Sequence, residues 1–330
     1  MKLSITRFLA PVLAVLAFAA ATAQAQDEKL RFIMVTHGAA SSAFWGTVKD
    51  GAEQAAKEAG VELDYRAPDT FDLGKMASLI SAAVKQQPDG IIVSIPNADA
   101  LAASIRAAAD TGIPVVSINS GFDVGRSLGA LLHVGQAEYE AGRVAGEAMR
   151  KFAGTNALCL NHELGNVALD LRCKGFIDGF AGSVEVMPVP DNVEEAGKAI
   201  TERLAEDTRV DVILALNAAT SGEPAIAAVK ALVGRTVHVG TFDVTPKVLE
   251  AVADGAASFA VDQQPFLQGY LPVHFLAVLH RHGAVPVSNV STGPRLVTEE
   301  EAKRRLGRTQ EGEGDGANAA PQKPKPATDG

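Results

Sequence analysis

The chain has 330 residues, 47% of them hydrophobic and 21% charged, with a formal net charge of −9. That length exceeds what a single hydrophobic core usually holds, so two domains are expected. The acidic balance excludes a protein built to grip nucleic acid, which needs basic patches.

Residues 1–25 read as a secretory signal peptide. Lys2 and Arg7 form a basic start, Leu9 to Ala20 is an apolar core, and small residues follow at Ala21-Thr22-Ala23 and Ala23-Gln24-Ala25. The apolar run is too short to span a bilayer comfortably. An exported, periplasmic protein is expected, with a net charge of about −11 once Lys2 and Arg7 are gone.

After the leader, apolar runs suited to strands alternate with helical stripes. Phe32 to Val35 is a first strand, followed by Phe44, Val48, Ala52, Ala55 and Ala59 at helical spacing, with Gly60 placed to end the helix. Val61, Leu63 and Tyr65 alternate as a second strand. Met76, Leu79, Ile80, Ala83 and Val84 form the next helical stripe, and Gly90 to Ile95 is a buried strand. Leu101, Ile105 and Ala108 continue as a helix before a strand at Ile113 to Ile118. Such alternation points to a parallel sheet covered by helices on both faces.

The pattern then restarts. Strands are expected at Ala157 to Leu160, Val184 to Val189, Val212 to Leu216 and Val237 to Thr241. Helices are expected at Leu169 to Phe180, up to Ala205, from Gly222 to Val233 and from about Thr245. The two units rhyme locally: Val115-Val116-Ser117-Ile118-Asn119 resembles His238-Val239-Gly240-Thr241-Phe242-Asp243. Phe259 to Pro265 reads as a strand leading into a long helix from Phe266 to His282, and Arg295-Leu296-Val297 as a last short strand. Residues 308–330, rich in Gly, Glu, Pro, Lys and Ala, are expected to be disordered.

Cys159 and Cys173 are the only cysteines. Export permits a disulfide between them, closing a loop worth about 3 kcal/mol; two buried thiols are the alternative. No metal site is expected from two cysteines without a partner cluster, and no cofactor is expected either.

An ordered set of segments resembles the periplasmic sugar-binding proteins of the ribose-binding type, the type I receptors of ABC importers. These are the aromatic loop after the first strand, Ser117-Ile118-Asn119, Arg172-Cys173-Lys174-Gly175-Phe176, Ala215-Leu216-Asn217, Gly240-Thr241-Phe242-Asp243, and Asp262-Gln263-Gln264-Pro265. The resemblance spans the chain up to about Thr298. It implies an α/β fold of two Rossmann-like lobes with parallel sheets flanked by helices, joined by a three-crossing hinge. The lobes would comprise residues 28–134 with 264–290, and 135–263 with 291–300. It also implies an aromatic clamp at Phe44 and Trp45, and polar ligand contacts from Asn119, Arg172, Asn217, Asp243 and Gln263. Where ribose binders carry Asp-Arg, this chain has Asn119-Ser120, a departure that argues against ribose itself. His37 has no counterpart and is a further candidate for specificity.

These residue types suit a polyhydroxylated ligand. Edge hydroxyls donate and accept, so they match Asp, Asn, Gln and Arg, while an aromatic ring matches the C–H face. The expected protein is a monomeric substrate-binding component that delivers a neutral sugar or polyol to a membrane permease and does no catalysis. A sensory or chemotaxis sugar receptor would share the site. A secreted sugar-processing enzyme is the more distant alternative: His37, Glu163 and Asp243 could support acid–base chemistry, but no nucleophile elbow, phosphate loop or zinc-protease spacing is present.

Overall fold

The computed structural model describes residues 29–314, apart from 39 and 40. The leader read at residues 1–25 lies outside them. In chain order, the first half contains β1 (Arg31–Val35), α1 (Ala43–Ala59), β2 (Glu62–Arg66), α2 (Leu73–Lys85), β3 (Gly90–Ser94), α3 (Ala98–Asp110), β4 (Val115–Asn119) and β5 (Leu132–Gly135). The second contains α4 (Glu138–Met149), β6 (Asn156–Asn161), α5 (Val167–Phe180), β7 (Ser183–Pro188), α6 (Val193–Glu206), β8 (Val212–Ala215), α7 (Glu223–Lys230), β9 (His238–Phe242), α8 (Pro246–Ala253) and β10 (Phe259–Asp262). The chain closes with α9 (Pro265–His282), β11 (Val290–Ser291), β12 (Arg295–Val297) and α10 (Glu299–Gly314).

Two six-stranded sheets result. One has the order β2-β1-β3-β4-β5-β11 and is parallel throughout; the other has the order β7-β6-β8-β9-β10-β12, with only β12 antiparallel. Each sheet lies between two apolar layers. In the first lobe, Phe32, Met34, Ile92 and Val116 face one layer, while Ile33, Val35, Ile91 and Val93 face the other. Strands buried on both faces explain why β3 and β4 read as continuous apolar runs rather than alternating ones.

The chain passes between the sheets three times: from β5 to α4, from β10 to α9, and from β11 to β12. The crossings lie side by side and are stitched together. Thr292 N donates to Gly135 O at 2.7 Å, Gln264 Nε2 donates to Thr292 O, and Gln268 Nε2 donates to both Gln263 O and Thr292 Oγ1. The Gly293–Pro294 bond is cis. Three adjacent crossings constrain the lobes to rotate about one line.

Each lobe's first helix packs backbone to backbone against a crossing helix. A Cβ at Gly269 of α9 would overlap the Val48 carbonyl of α1, and a Cβ at Gly142 of α4 would overlap the Arg172 carbonyl of α5. The second contact matters most for the site, because it brings α4 and Glu138 against Arg172. Sequence reading assigned no helix at 138–149: its buried stripe is Ala141, Gly142, Ala145, Gly146 and Met149, too small and too little apolar to stand out. The strand β5 was also missed, at only four residues, as was the two-residue β11.

The tail expectation needs correction at its start. Residues 308–314 continue α10, whose earlier turns carry Glu299–Lys303 and Glu301–Arg305 pairs at helical spacing. Residues 315–330 lie outside the described ones. Cys159 on β6 and Cys173 on α5 are joined by a disulfide with Cα atoms 5.8 Å apart.

Candidate ligand-binding site

Open parallel sheets bind ligands beyond the carboxyl ends of their strands, where the strand order reverses. Both sheets have that switch point, between β1 and β3 and between β6 and β8, and the candidate residues sit at these ends. His37 follows β1, Asn119 ends β4, Asn217 follows β8, Asp243 follows β9 and Gln263 follows β10.

Between the lobes lies an inner chamber of about 40 Å³. His37, Phe44, Trp45, Asn119, Arg172, Asn217, Asp243 and Gln263 all line it, together with His162, Glu163, Asn166, Leu169 and Leu216. It communicates with an outer cleft of about 480 Å³ through six shared residues, including Phe44, Trp45, Asn217 and Asp243. The outer cleft falls within the volume range of small-molecule sites. Asp69, Thr70, Phe71 and Asp191 also border it.

The aromatic corner is built by local geometry. Ser42 caps α1, accepting a hydrogen bond from Trp45 N, and so places Phe44 and Trp45 in the first turn at the cleft. Trp45 is 6% exposed and stands against Gly38, where a Cβ would overlap the indole. Phe44 meets Trp45 edge-on at 5.1 Å, and His37 meets Trp45 edge-on at 4.8 Å. Both aromatic rings border the inner chamber, Phe44 being the more exposed.

His37 is held from both sides. Its backbone N–H and its Nδ1 contact Ser94 Oγ at 3.0 and 2.9 Å, within the first lobe. Across the cleft, its Nε2 lies 3.4 Å from Asn166 Nδ2 and 3.7 Å from Glu163 Oε2. Burial, with Arg172 and His162 nearby, pushes its pKa down to about 3, so the ring is neutral.

Asn119 and Asp243 occupy equivalent places in the two lobes. Both adopt left-handed backbone, φ 58° and 70°, a conformation that Asn and Asp tolerate better than most residues. Asn119 Nδ2 donates to Gln268 Oε1 at 3.2 Å, linking the site to the hinge network. Asp243 accepts from Gln263 Nε2 at 2.5 Å and from Asn217 Nδ2 at 3.4 Å. Burial pushes the Asp243 carboxyl up to about 7, against the opposing pull of Arg172 and Gln263. Asn217 also caps the next helical turn, its Oδ1 accepting from Ala219 N and Thr220 N at 2.9 Å.

Arg172 differs from a free ligand-binding arginine. Its Nε and Nη2 donate to Glu138 at 2.6 and 3.0 Å, its Nη2 also donates to Gln263 Oε1 at 2.9 Å, and its Nη1 to Leu216 O at 3.3 Å. Its guanidinium lies 4.5 Å above the centre of the Phe242 ring. Of five N–H groups, one on Nη1 is left for a ligand. Arg172 therefore mainly orients Gln263, which in turn holds Asp243. Its partner is Glu138, missed with the helix that carries it, and the pair is buried.

Sequence reading also passed over His162 as a cleft residue. The His162 side chain is largely covered, with its pKa down to about 3 from burial and Arg172, and Glu163 beside it is pushed up to about 7 by burial. The pair stood in the sequence as His162-Glu163, just past the end of a strand, but only the sheet order in the structure puts that end at a switch point.

Two lobes of matching strand order, a three-crossing hinge, and an enclosed polar chamber with an aromatic corner define a two-lobed small-molecule binding protein. The chain belongs to the periplasmic binding protein family: residues 32–283 match its periplasmic binding protein domain. Among solved structures it is similar to a carbohydrate transporter from Acidothermus cellulolyticus 11B in complex with myo-inositol, at 32% identity and a TM-score of 0.80, covering 86% of this chain and 99% of that one. Among characterised proteins it is similar to the xylose/arabinose-binding protein XylF of Sulfolobus acidocaldarius, 23% identical over 288 residues, covering 81% of this chain and 71% of that protein. It is also similar to the fructose import binding protein FruE of Bifidobacterium longum, 25% identical over 224 residues, covering 64% and 68% of the two chains.

Proposed function

We propose that the protein is the substrate-binding component of an ABC importer and takes a neutral sugar or polyol into the interlobe cleft. The observation that carries this is the make-up of the chamber. Aromatic rings and amide, carboxylate and imidazole groups converge there, and Arg172, the only lysine or arginine lining either cavity among the described residues, is already paired with Glu138. An anionic ligand would meet two buried carboxyls with no free cation to balance it. Hydroxyls, which donate and accept, match the open positions on Asp243, Asn217, Asn119 and Gln263. The relatives support the same class, since their names specify pentoses, fructose and myo-inositol.

Residues 1–25 serve as the export signal, the mature protein acts as a monomer, and a membrane permease receives the ligand from the closed form. Ligand contacts to both lobes favour closure about the three crossings, because those contacts are not all available when the lobes part. Binding rather than turnover is the role, so ligand is recovered unchanged. A thermal-shift panel of neutral sugars, polyols, nucleosides and charged amino acids tests this. A neutral sugar or polyol should raise the melting temperature progressively with concentration. Stabilisation by charged amino acids alone would refute it.

A further inference from the structure

The second lobe brings a dipeptide into the cleft that the reading above leaves unused. His162 and Glu163 follow β6 and line both the inner chamber and the outer cleft. The His162 side chain is 7% exposed, yet its Nδ1 has no hydrogen-bond partner. Among the described residues, only this nitrogen and the Thr220 hydroxyl are buried, partnerless side-chain atoms of cleft-lining residues.

Glu163 is also under-served. A carboxylate can accept about four hydrogen bonds. Asn166 Nδ2 donates to Oε2 at 2.7 Å, while His37 Nε2 stands 3.7 Å from Oε2 and His162 Nε2 stands 4.0 Å from Oε1, both too far for a good bond. Buried polar groups left without partners are costly, and native proteins seldom carry them without a use. Both residues line the chamber and the outer cleft. By contrast, Arg172 and Gln263 on the same wall are held by protein groups.

We propose that His162 and Glu163 form a second ligand-reading pair, in which a ligand hydroxyl donates to Glu163 Oε1 and a neighbouring ligand oxygen hydrogen-bonds His162 Nδ1. This rests on the cleft being a sugar or polyol site, and it narrows the ligand to one with two neighbouring oxygens, at least one of them a hydroxyl, free to meet Glu163 and His162.

The groups around Glu163 set the pH behaviour. Asn166 donates to it, His37 and His162 face it as neutral rings, Asp191 opposes its ionisation and Arg172 favours it, and Asp243 lies across the chamber. A hydroxyl donating to Glu163 stabilises the ionised form, so binding near pH 7 releases a proton.

Isothermal titration at pH 7 in two buffers of different ionisation heat tests the pair, with myo-inositol, D-allose and D-xylose as probes. The variants are Glu163→Gln, Glu163→Asp and His162→Phe. Wild type should bind with proton release. Glu163→Gln and His162→Phe should each lose about tenfold or more in affinity, as expected for losing a hydrogen bond to a charged or buried partner. Glu163→Gln should also release fewer protons, and Glu163→Asp should keep the release at lower affinity, which guards against a variant that merely folds poorly. Unchanged affinity and proton count in Glu163→Gln and His162→Phe would overturn the pair and leave the proposed function standing. A wild type that binds none of the probes, and nothing neutral in the thermal-shift panel, would overturn both.

Discussion

Asp243→Asn separates the electrostatics of the site from its shape, because the side chains are nearly isosteric. Asp243 is 8% exposed and its pKa rises from 3.8 to about 7, chiefly through burial. A carboxyl whose folded pKa lies above its unfolded value stabilises the fold fully below pH 4, and that contribution is lost as pH rises through about 7. The whole change is worth about 4 kcal/mol, of which about 2 kcal/mol falls between pH 5.5 and pH 8. The variant has no such charge to bury, so ligand-free Asp243→Asn should gain about 2 kcal/mol on wild type over that interval. Urea unfolding of both proteins at the two pH values measures it. The same substitution should weaken a neutral polyol by roughly ten- to a hundredfold, since a hydroxyl donating to a carboxylate makes one of the stronger hydrogen bonds. A stability difference that stays constant from pH 5.5 to 8 would mean Asp243 is ionised throughout, and would refute the burial argument.

The remaining predictions concern the scaffold and the aromatic corner. Trp45 is the sole tryptophan, so its fluorescence should change on saturation with ligand, and no change would argue against a ring at the ligand face. Gly142→Ala should cost about 1–3 kcal/mol by forcing α4 off the Arg172 carbonyl, and should weaken ligand binding as Glu138 shifts; urea unfolding and titration read the two effects. Reducing the Cys159–Cys173 bridge, which closes a loop with a sequence separation of 14, should lower stability by about 3 kcal/mol in urea unfolding. His37, His133 and His162 are each held neutral, with pKa values down to about 3 mainly through burial. Their folded values are depressed, so stability should fall as pH drops from about 6.5 toward 3. Replacing His133 with Gln should reduce that slope in acid titrations.

Much of the architecture was legible because buried parallel strands leave dense apolar runs. Phe32 to Val35, Gly90 to Ile95 and Val212 to Leu216 announced themselves. The rhyme between the segments ending at Asn119 and Asp243 marked two equivalent positions, which the structure shows to be left-handed. What stayed hidden has physical reasons. The helix α4 packs through glycine and alanine, so it shows no apolar stripe, and with it went Glu138, the partner that decides what Arg172 can do. His162 is a cleft residue only because the second sheet turns the end of β6 toward the first, a fact of tertiary geometry. Strand β11 is held by its pairing with β5 rather than by its own two residues.

The central claim is that a neutral polyhydroxylated ligand is enclosed between the lobes by closure about the three crossings. Small-angle X-ray scattering of the mature protein, without ligand and at saturation with the best neutral binder from the thermal-shift panel, tests it most directly. The account predicts a smaller radius of gyration on saturation, and a smaller decrease in Asp243→Asn at the same ligand concentration. An unchanged scattering profile at proven saturation would contradict it.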